Sequence, residues 1–179
     1  MVESIDSAVG IRPAVESEIV ELCRLRMDAL RTEPTAFSRD YDAASAMSQE
    51  EWAAWFRARS DGTSRVIHVA STSDGLAGMA GIARENTPKT RHGGFIWGVY
   101  VRPDDRGRKI GRQLIEACLQ WAKDQGVETV RLDVNSINVA AIRLYASCGF
   151  RVVGLIPKVL KVDGVTYDEL VMVHEVGAR

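Results

Sequence analysis

The chain has 179 residues, 46% hydrophobic and 26% charged, and its 23 Lys and Arg against 24 Asp and Glu leave a net charge of −1. That length fits one domain over residues 1–179, the composition excludes a disordered, collagenous or coiled-coil protein, and the charge balance lacks the basic excess of a dedicated nucleic-acid binder. No apolar run approaches the roughly 18 to 20 residues that span a bilayer, and the polar start MVESIDS has no signal-peptide core, so a cytoplasmic protein without nucleic-acid or membrane partners is expected.

A short strand is expected around Val9–Arg12, ended by Pro13; Ile19, Leu22, Cys23, Leu25, Arg26 and Leu30 then follow the i, i+3, i+4 rhythm of a first helix running down to Pro34. Thr32 to Met47 reads as a loop. Ser48 with Glu51 three residues on is a capping box that opens a second helix, SQEEWAAWFRARS, whose Trp52, Trp55 and Phe56 share one face and serve either as core or as a substrate wall. Arg65–Ala70, Leu76–Arg84 and Gly94–Val101 read as an antiparallel meander. Ile110, Leu114, Ile115, Cys118, Leu119, Trp121 and Ala122 mark a helix over Lys109–Gln125, closed by Gly126 and followed by a strand at Thr129–Val134. Strand, helix and strand make one parallel crossover. Asn138 caps a helix carrying Ala141, Leu144, Tyr145 and Cys148, stopped by Gly149, and Phe150–Lys161 with Val165–Val176 form a hairpin turning at Asp163-Gly164.

Cys23, Cys118 and Cys148 lie far apart within apolar helical patterns, and His68, His92 and His174 are equally scattered. Reduced, buried thiols are expected and no metal site is implied.

The most informative segment is VYVRPDDRGRKIGRQL, Val99 to Leu114, where an apolar strand runs into a Gly-containing basic loop that opens a helix. The first-turn amides of a helix lack intrahelical acceptors and carry the positive end of its dipole, so N–H groups from Arg108 through Lys109, Ile110 and Gly111 to Arg112 suit a pyrophosphate. Arg106, Arg108, Lys109 and Arg112 add charge, while Gly107 and Gly111 let the main chain approach closely. A solvated basic turn is the competing reading of this segment taken alone.

Arg106 and Gly111, at the spacing Arg or Gln, two residues, Gly, one residue, Gly or Ala, and the downstream LDVNSINVAAIRLYASCGF, Leu132 to Phe150, resemble the GNAT superfamily of acetyl-coenzyme A-dependent N-acetyltransferases. The chain departs from the pattern at Lys109, commonly glycine; a lysine there still offers its N–H if its φ and ψ are helical. The resemblance implies a mixed α/β (α+β) fold whose central, mostly antiparallel sheet is flanked by helices and splayed at the cofactor site. It implies acetyl-CoA as cofactor, and a small-molecule or peptide amine as acceptor. Main-chain groups of Val99 and Val101 should face the pantetheine arm, with the Val99 amide near the thioester oxygen, and Gly98 either bulges the strand or makes a close helix contact. Asn138 is a cap and a cofactor-contacting amide, and Tyr145, about two turns later on one side, is the expected general acid for the leaving thiolate.

No general base is assigned, because Gly94 to Gly98 hold no carboxylate; Glu85, Asp133, Asp168 and His68 are candidates, each also explained structurally. Tyr41, Trp52, Trp55 and Tyr167 are possible walls for an apolar acceptor, and Glu33, Asp40, Asp42 and Asp168 for a cationic one. Protein N-terminal acetylation and a non-catalytic acyl-CoA-binding module are the alternative functions, and the exposed terminal strands leave room for a homodimer.

Overall fold

The computed structural model describes residues 9–177, so the polar start at residues 1–7 lies outside the described residues. One seven-stranded sheet runs in the order β1-β2-β3-β4-β5-β7-β6. Its strands are β1 (Gly10–Pro13), β2 (Arg65–Thr72), β3 (Gly75–Arg84), β4 (Gly93–Val101), β5 (Thr129–Asn135), β6 (Arg151–Val162) and β7 (Val165–Glu175). The helices are α1 (Ile19–Thr32), α2 (Tyr41–Ser45), α3 (Gln49–Arg57), α4 (Ile110–Asp124) and α5 (Val139–Ser147). Every neighbouring pair is antiparallel except β4–β5, the parallel crossover through α4.

Helices cover both sheet faces, so β2 and β3 are buried through their centres instead of alternating. On one face, Ile110, Leu114, Ile115 and Cys118 of α4 pack on Val66, Ala80, Ile82, Ile96 and Leu132. On the other, Leu22, Leu25 and Ala29 of α1 with Trp52, Trp55 and Phe56 of α3 pack on Ile67, Val69, Met79 and Tyr100. The α3 aromatics are therefore core. Truncating a residue as enclosed as Leu114 to alanine typically costs about 2–5 kcal/mol.

Three local features differ from the sequence reading. Within the expected loop, the Asp40 side chain accepts the Ala43 N–H at 3.0 Å and caps the short helix α2. Pro13 is paired within β1 as its last residue where the strand was expected to stop at Arg12, and it is tolerated because this is an edge strand. Only Cys118 is fully enclosed, whereas Cys23 and Cys148 are half-buried; all are free thiols, and burial pushes the Cys23 thiol up to about 11.

The sheet opens at its parallel pair. β4 and β5 join only at Gly93–Thr129, Gly94–Val130 and Phe95–Arg131. Beyond Phe95 the strands part. On its other side β4 slips register against β3, from Gly81–Trp97 to Met79–Tyr100, so Gly98 and Val99 together oppose Ala80. Gly98 takes a φ of 65°, which its missing Cβ permits, and this bulge turns β4 away from β5.

Candidate active site

A cavity of about 670 Å³ lies at the end of the splay, within the ~300–1,000 Å³ common for cofactor sites. Val99, Val101, Arg106, Gly107, Lys109, Ile110, Gly111, Arg112, Asn138 and Tyr145 all line it. Arg108 does not; its Nη1 donates to Asp105 Oδ1 at 2.8 Å. Asp105 is itself buried and also accepts from Arg102 Nε at 3.1 Å, so this carboxylate ties down the turn after β4.

No side chain caps α4 and its first intrahelical bond runs from the Gln113 N–H to the Lys109 carbonyl, so the amides of Ile110, Gly111 and Arg112 have no intrahelical acceptor. The dipole's positive end thus faces the cavity. Lys109 reaches this position with φ 62° and ψ 11°, a left-handed conformation and not the helical one expected for a lysine here. Gly107 has φ 82° and open space where a Cβ would be, so its glycine answers to backbone conformation alone. At Gly111, by contrast, an added Cβ would stand 3.0 Å from Leu144 Cδ2, so this glycine sets the approach of α4 to α5.

The loop arginines are already engaged. Arg106 donates from Nη2 to Glu33 Oε1 at 2.8 Å and from Nε to the Val101 carbonyl at 3.1 Å, and Arg112 Nε donates to Glu116 Oε1 at 2.8 Å. These ion pairs are half-exposed and weak enough for an anionic ligand to compete.

A second, smaller cavity of about 80 Å³ lies between the parted strands and shares Ala36, Phe37, Val99, Asn138, Ala141 and Tyr145 with the first. Asn138 Oδ1 accepts the Ala141 N–H at 3.1 Å, so the residue caps α5 while bordering both spaces. Tyr145 is 7% exposed, and burial first, with lesser contributions from Cys118 and Cys148, pushes its phenol above the ordinary value. It is protonated at neutral pH.

Of the four base candidates only Asp133 borders either cavity. His68 is enclosed under α4, 3.8 Å from Cys118 Sγ, and burial holds its imidazole down at about 4. Asp168 accepts the Lys158 N–H at 2.8 Å, where Lys158 bends β6 with φ 55°. Glu85 is exposed at the end of β3. Of the suggested acceptor walls, Trp52 and Trp55 are in the core and Asp40 caps α2, while Glu33 borders the larger cavity. Phe37 and Trp97, which no sequence motif marks, also line the smaller cavity. Glu169, diagonal to Asp133 on the same face, is raised by burial and by the Asp133 charge; a carboxylate one strand over carries no local sequence signal.

Residues 22–150 match the profile described as Acetyltransferase (GNAT) family. Over 106 residues, 59% of this chain and 62% of the relative, the sequence is 30% identical to the L-methionine sulfoximine/L-methionine sulfone acetyltransferase of Pseudomonas paraeruginosa. Over 99 residues, 54% of this chain and 60% of the relative, it is 39% identical to the N-alpha-acetyltransferase RimI of Mycobacterium tuberculosis. The match therefore spans less than two thirds of either relative's length. The structure of yncA from Salmonella typhimurium, solved with its cofactor acetyl-CoA, is similar with a TM-score of 0.83 at 23% identity, over 97% of this chain and 96% of that one.

Proposed function

We propose, from the premise that the chain belongs to the acetyltransferase (GNAT) family, that it transfers an acetyl group from acetyl-CoA to a primary amine of a small molecule or peptide by direct attack. The observation that carries this reading is Tyr145 at the junction of two cavities, one ending at the uncapped N-terminus of α4 and the other lying between parted strands. The first has the open amides a pyrophosphate needs, and the second exposes strand edges to an amide-bearing arm.

When bound, acetyl-CoA supplies a thioester carbon open to attack by an amine. The N–C bond forms as the C–S bond breaks; of the two protons an ammonium acceptor loses, one ends on sulfur and one leaves to solvent. In this chain the amides of Ile110, Gly111 and Arg112, with Gly107 and Lys109 beside them and the Arg106 and Arg112 side chains, would hold phosphate, and Asn138 and the main chain at Val99 and Val101 would hold the arm. The Val99 N–H would steady negative charge on the carbonyl oxygen, and Tyr145 would hold the proton destined for sulfur.

The test is thiol release from acetyl-CoA across a panel of amines and peptides. Release with at least one acceptor is expected. Silence across the panel, despite thermal stabilisation by acetyl-CoA, would instead leave a binding module. The 39% identity to the RimI protein favours a second reading, acetylation of a protein N-terminus, which peptides carrying free α-amines would reveal.

The long edge strand β6 exposes Val152, Val153, Leu155, Ile156 and Val159, which supports a homodimer, checked by sedimentation. No described helix is long and apolar enough to cross a membrane; with the balanced charge this is compatible with a cytoplasmic location, checked by fractionation.

A further inference from the structure

The space between the parted strands is closed differently on the two sides of the sheet. On the α4 side Ala141 and Tyr145 of α5 cover it. On the α1 side the cover is Ala36 and Phe37, which also border the larger cavity. These two residues belong to the segment between α1 and α2, and residues 33–40 there form no helix or strand. The place of such a segment depends on what other elements hold it.

The holds come from the cofactor side of the molecule. Where α1 ends, the Tyr100 hydroxyl lies 3.2 Å from Thr32 Oγ1, and Glu33 pairs with Arg106. Behind Phe37 the Arg26 guanidinium lies 4.4 Å from the ring centroid, its Nε and Nη1 buried without a hydrogen-bond partner among the described residues. Between these points Asn135 Nδ2 donates to the Thr35 carbonyl at 2.8 Å, a bond that spans 100 residues of sequence. Asn135 is the last residue of β5, only 3% exposed, and it lines the smaller cavity. Leu132 and Val134 pack on the α4 side, so alternation turns Asn135 to the α1 side. Its Oδ1 accepts the Ile137 N–H at 3.2 Å, so both ends of a buried amide are satisfied. The Glu33–Arg106 pair is half-exposed and open to competition by phosphate, whereas the Asn135 bond is buried and sits directly beside Ala36 and Phe37.

We propose that Asn135 is a positioning residue: by holding the Thr35 carbonyl it keeps Ala36 and Phe37 closed over the thioester end of the arm, so that an amine and not water takes the acetyl group. This rests on the acetyl-transfer reading and adds what guards the bound donor. Water attacking the same carbon forms a C–O bond as the C–S bond breaks; one of its protons ends on sulfur, the other leaves to solvent, and acetate is lost. With α5 closing the other side, water and acceptor alike approach past Phe37. A bound acceptor brings contacts that compensate for moving the ring, and a lone water brings none.

The experiment measures thiol release from acetyl-CoA without acceptor and, with an accepted amine, the ratio of acetylated amine to thiol. In the wild type the acceptor-free release should be slow and the ratio close to one. Asn135→Ala should raise acceptor-free release at least about fivefold and pull the ratio below one, while acetyl-CoA affinity by calorimetry stays within about threefold. If Asn135→Ala does not fold, Asn135→Leu, which fills the volume and donates nothing, should leak by the same margin. Phe37→Ala removes the cover itself and should leak too; Asn135→Ala added to it should leak little more, because both act through one cover. Unchanged acceptor-free release in a folded Asn135 variant, or a fall in Tm or affinity with the ratio still close to one, overturns the proposal and leaves Asn135 a structural residue of the turn into α5. A wild type that acetylates no amine, but whose Asn135 variant hydrolyses acetyl-CoA faster, keeps the cover and removes acetyl transfer; a wild type that acetylates amines, with a variant no leakier, removes the cover alone.

Discussion

Arg106 and Glu33 join the basic loop to the C-terminal end of α1, Nη2 to Oε1 at 2.8 Å. The loop arginine is thus held by a carboxylate that a phosphate must displace or share. Glu33→Gln should tighten acetyl-CoA by up to about threefold at low salt, with the gain fading as salt screens this half-exposed pair. Arg106→Ala should weaken binding most at low salt, where its half-exposed charge is least screened, with a salt-independent remainder from the lost Val101 carbonyl contact. Calorimetry at two ionic strengths decides; a wholly salt-independent loss in Arg106→Ala would mean that its role is structural.

Lys109 occupies a left-handed backbone that costs a non-glycine residue roughly 1–2 kcal/mol, partly offset by the chain entropy glycine would add. Lys109→Gly should therefore hold or raise the Tm of the ligand-free protein by up to about 2–4 °C, and Lys109→Val should lower it. Equal Tm values for the glycine and valine variants would show that the turn relaxes freely.

Gly111→Val should weaken acetyl-CoA at least tenfold, about 1.4 kcal/mol, and lower the Tm as well, because the first added carbon meets Leu144 Cδ2 at 3.0 Å. Adding Leu144→Ala should recover part of the Tm lost. A double variant with no recovery would place the collision elsewhere.

Tyr145→Phe removes the hydroxyl and keeps the buried ring, packed 6.2 Å from Phe150, so stability and acetyl-CoA affinity should change little. Single-turnover rates should fall by about 10², the lower end for general acid catalysis. Because burial raises the phenol above its reference of about 10, wild-type rates should show no loss from tyrosine ionisation up to about pH 10. A wild-type rate in the phenylalanine protein would reduce Tyr145 to packing.

His68 gives the molecule an acid-labile point. Its folded value of about 4 lies below the usual 6.5, so between those values the unfolded chain binds a proton that the folded chain refuses. Its contribution is present above about pH 6.5 and lost as pH falls through 4, a difference of about 3 kcal/mol. Urea unfolding of His68→Leu should show a flatter pH dependence across that window; an unchanged slope would assign it to other groups.

Much of the site was legible because its parts are local. The Ser48–Glu51 capping box, the Asn138 cap with Tyr145 about two turns beyond it, and a strand running through a Gly-containing loop into a helix are short-range patterns, written in hydrogen bonds and periodicities that span few residues. The Asp163-Gly164 turn, with φ values of 49° and 82°, belongs to the same class. What the tertiary structure alone decided involves partners far apart in the chain. Arg26 read as one more position on the inner face of α1 until Phe37 and Gly98 surrounded it with no anion in reach, and Gly111 acquired its reason only when Leu144 packed against it. Asp133 stood level with Glu85, Asp168 and His68 until the β4 bulge opened a cavity beside one of them. Periodicity says which way a side chain faces within its own element; which charge, ring or void it meets depends on how strands pair and helices cross, and those are properties of the packed whole.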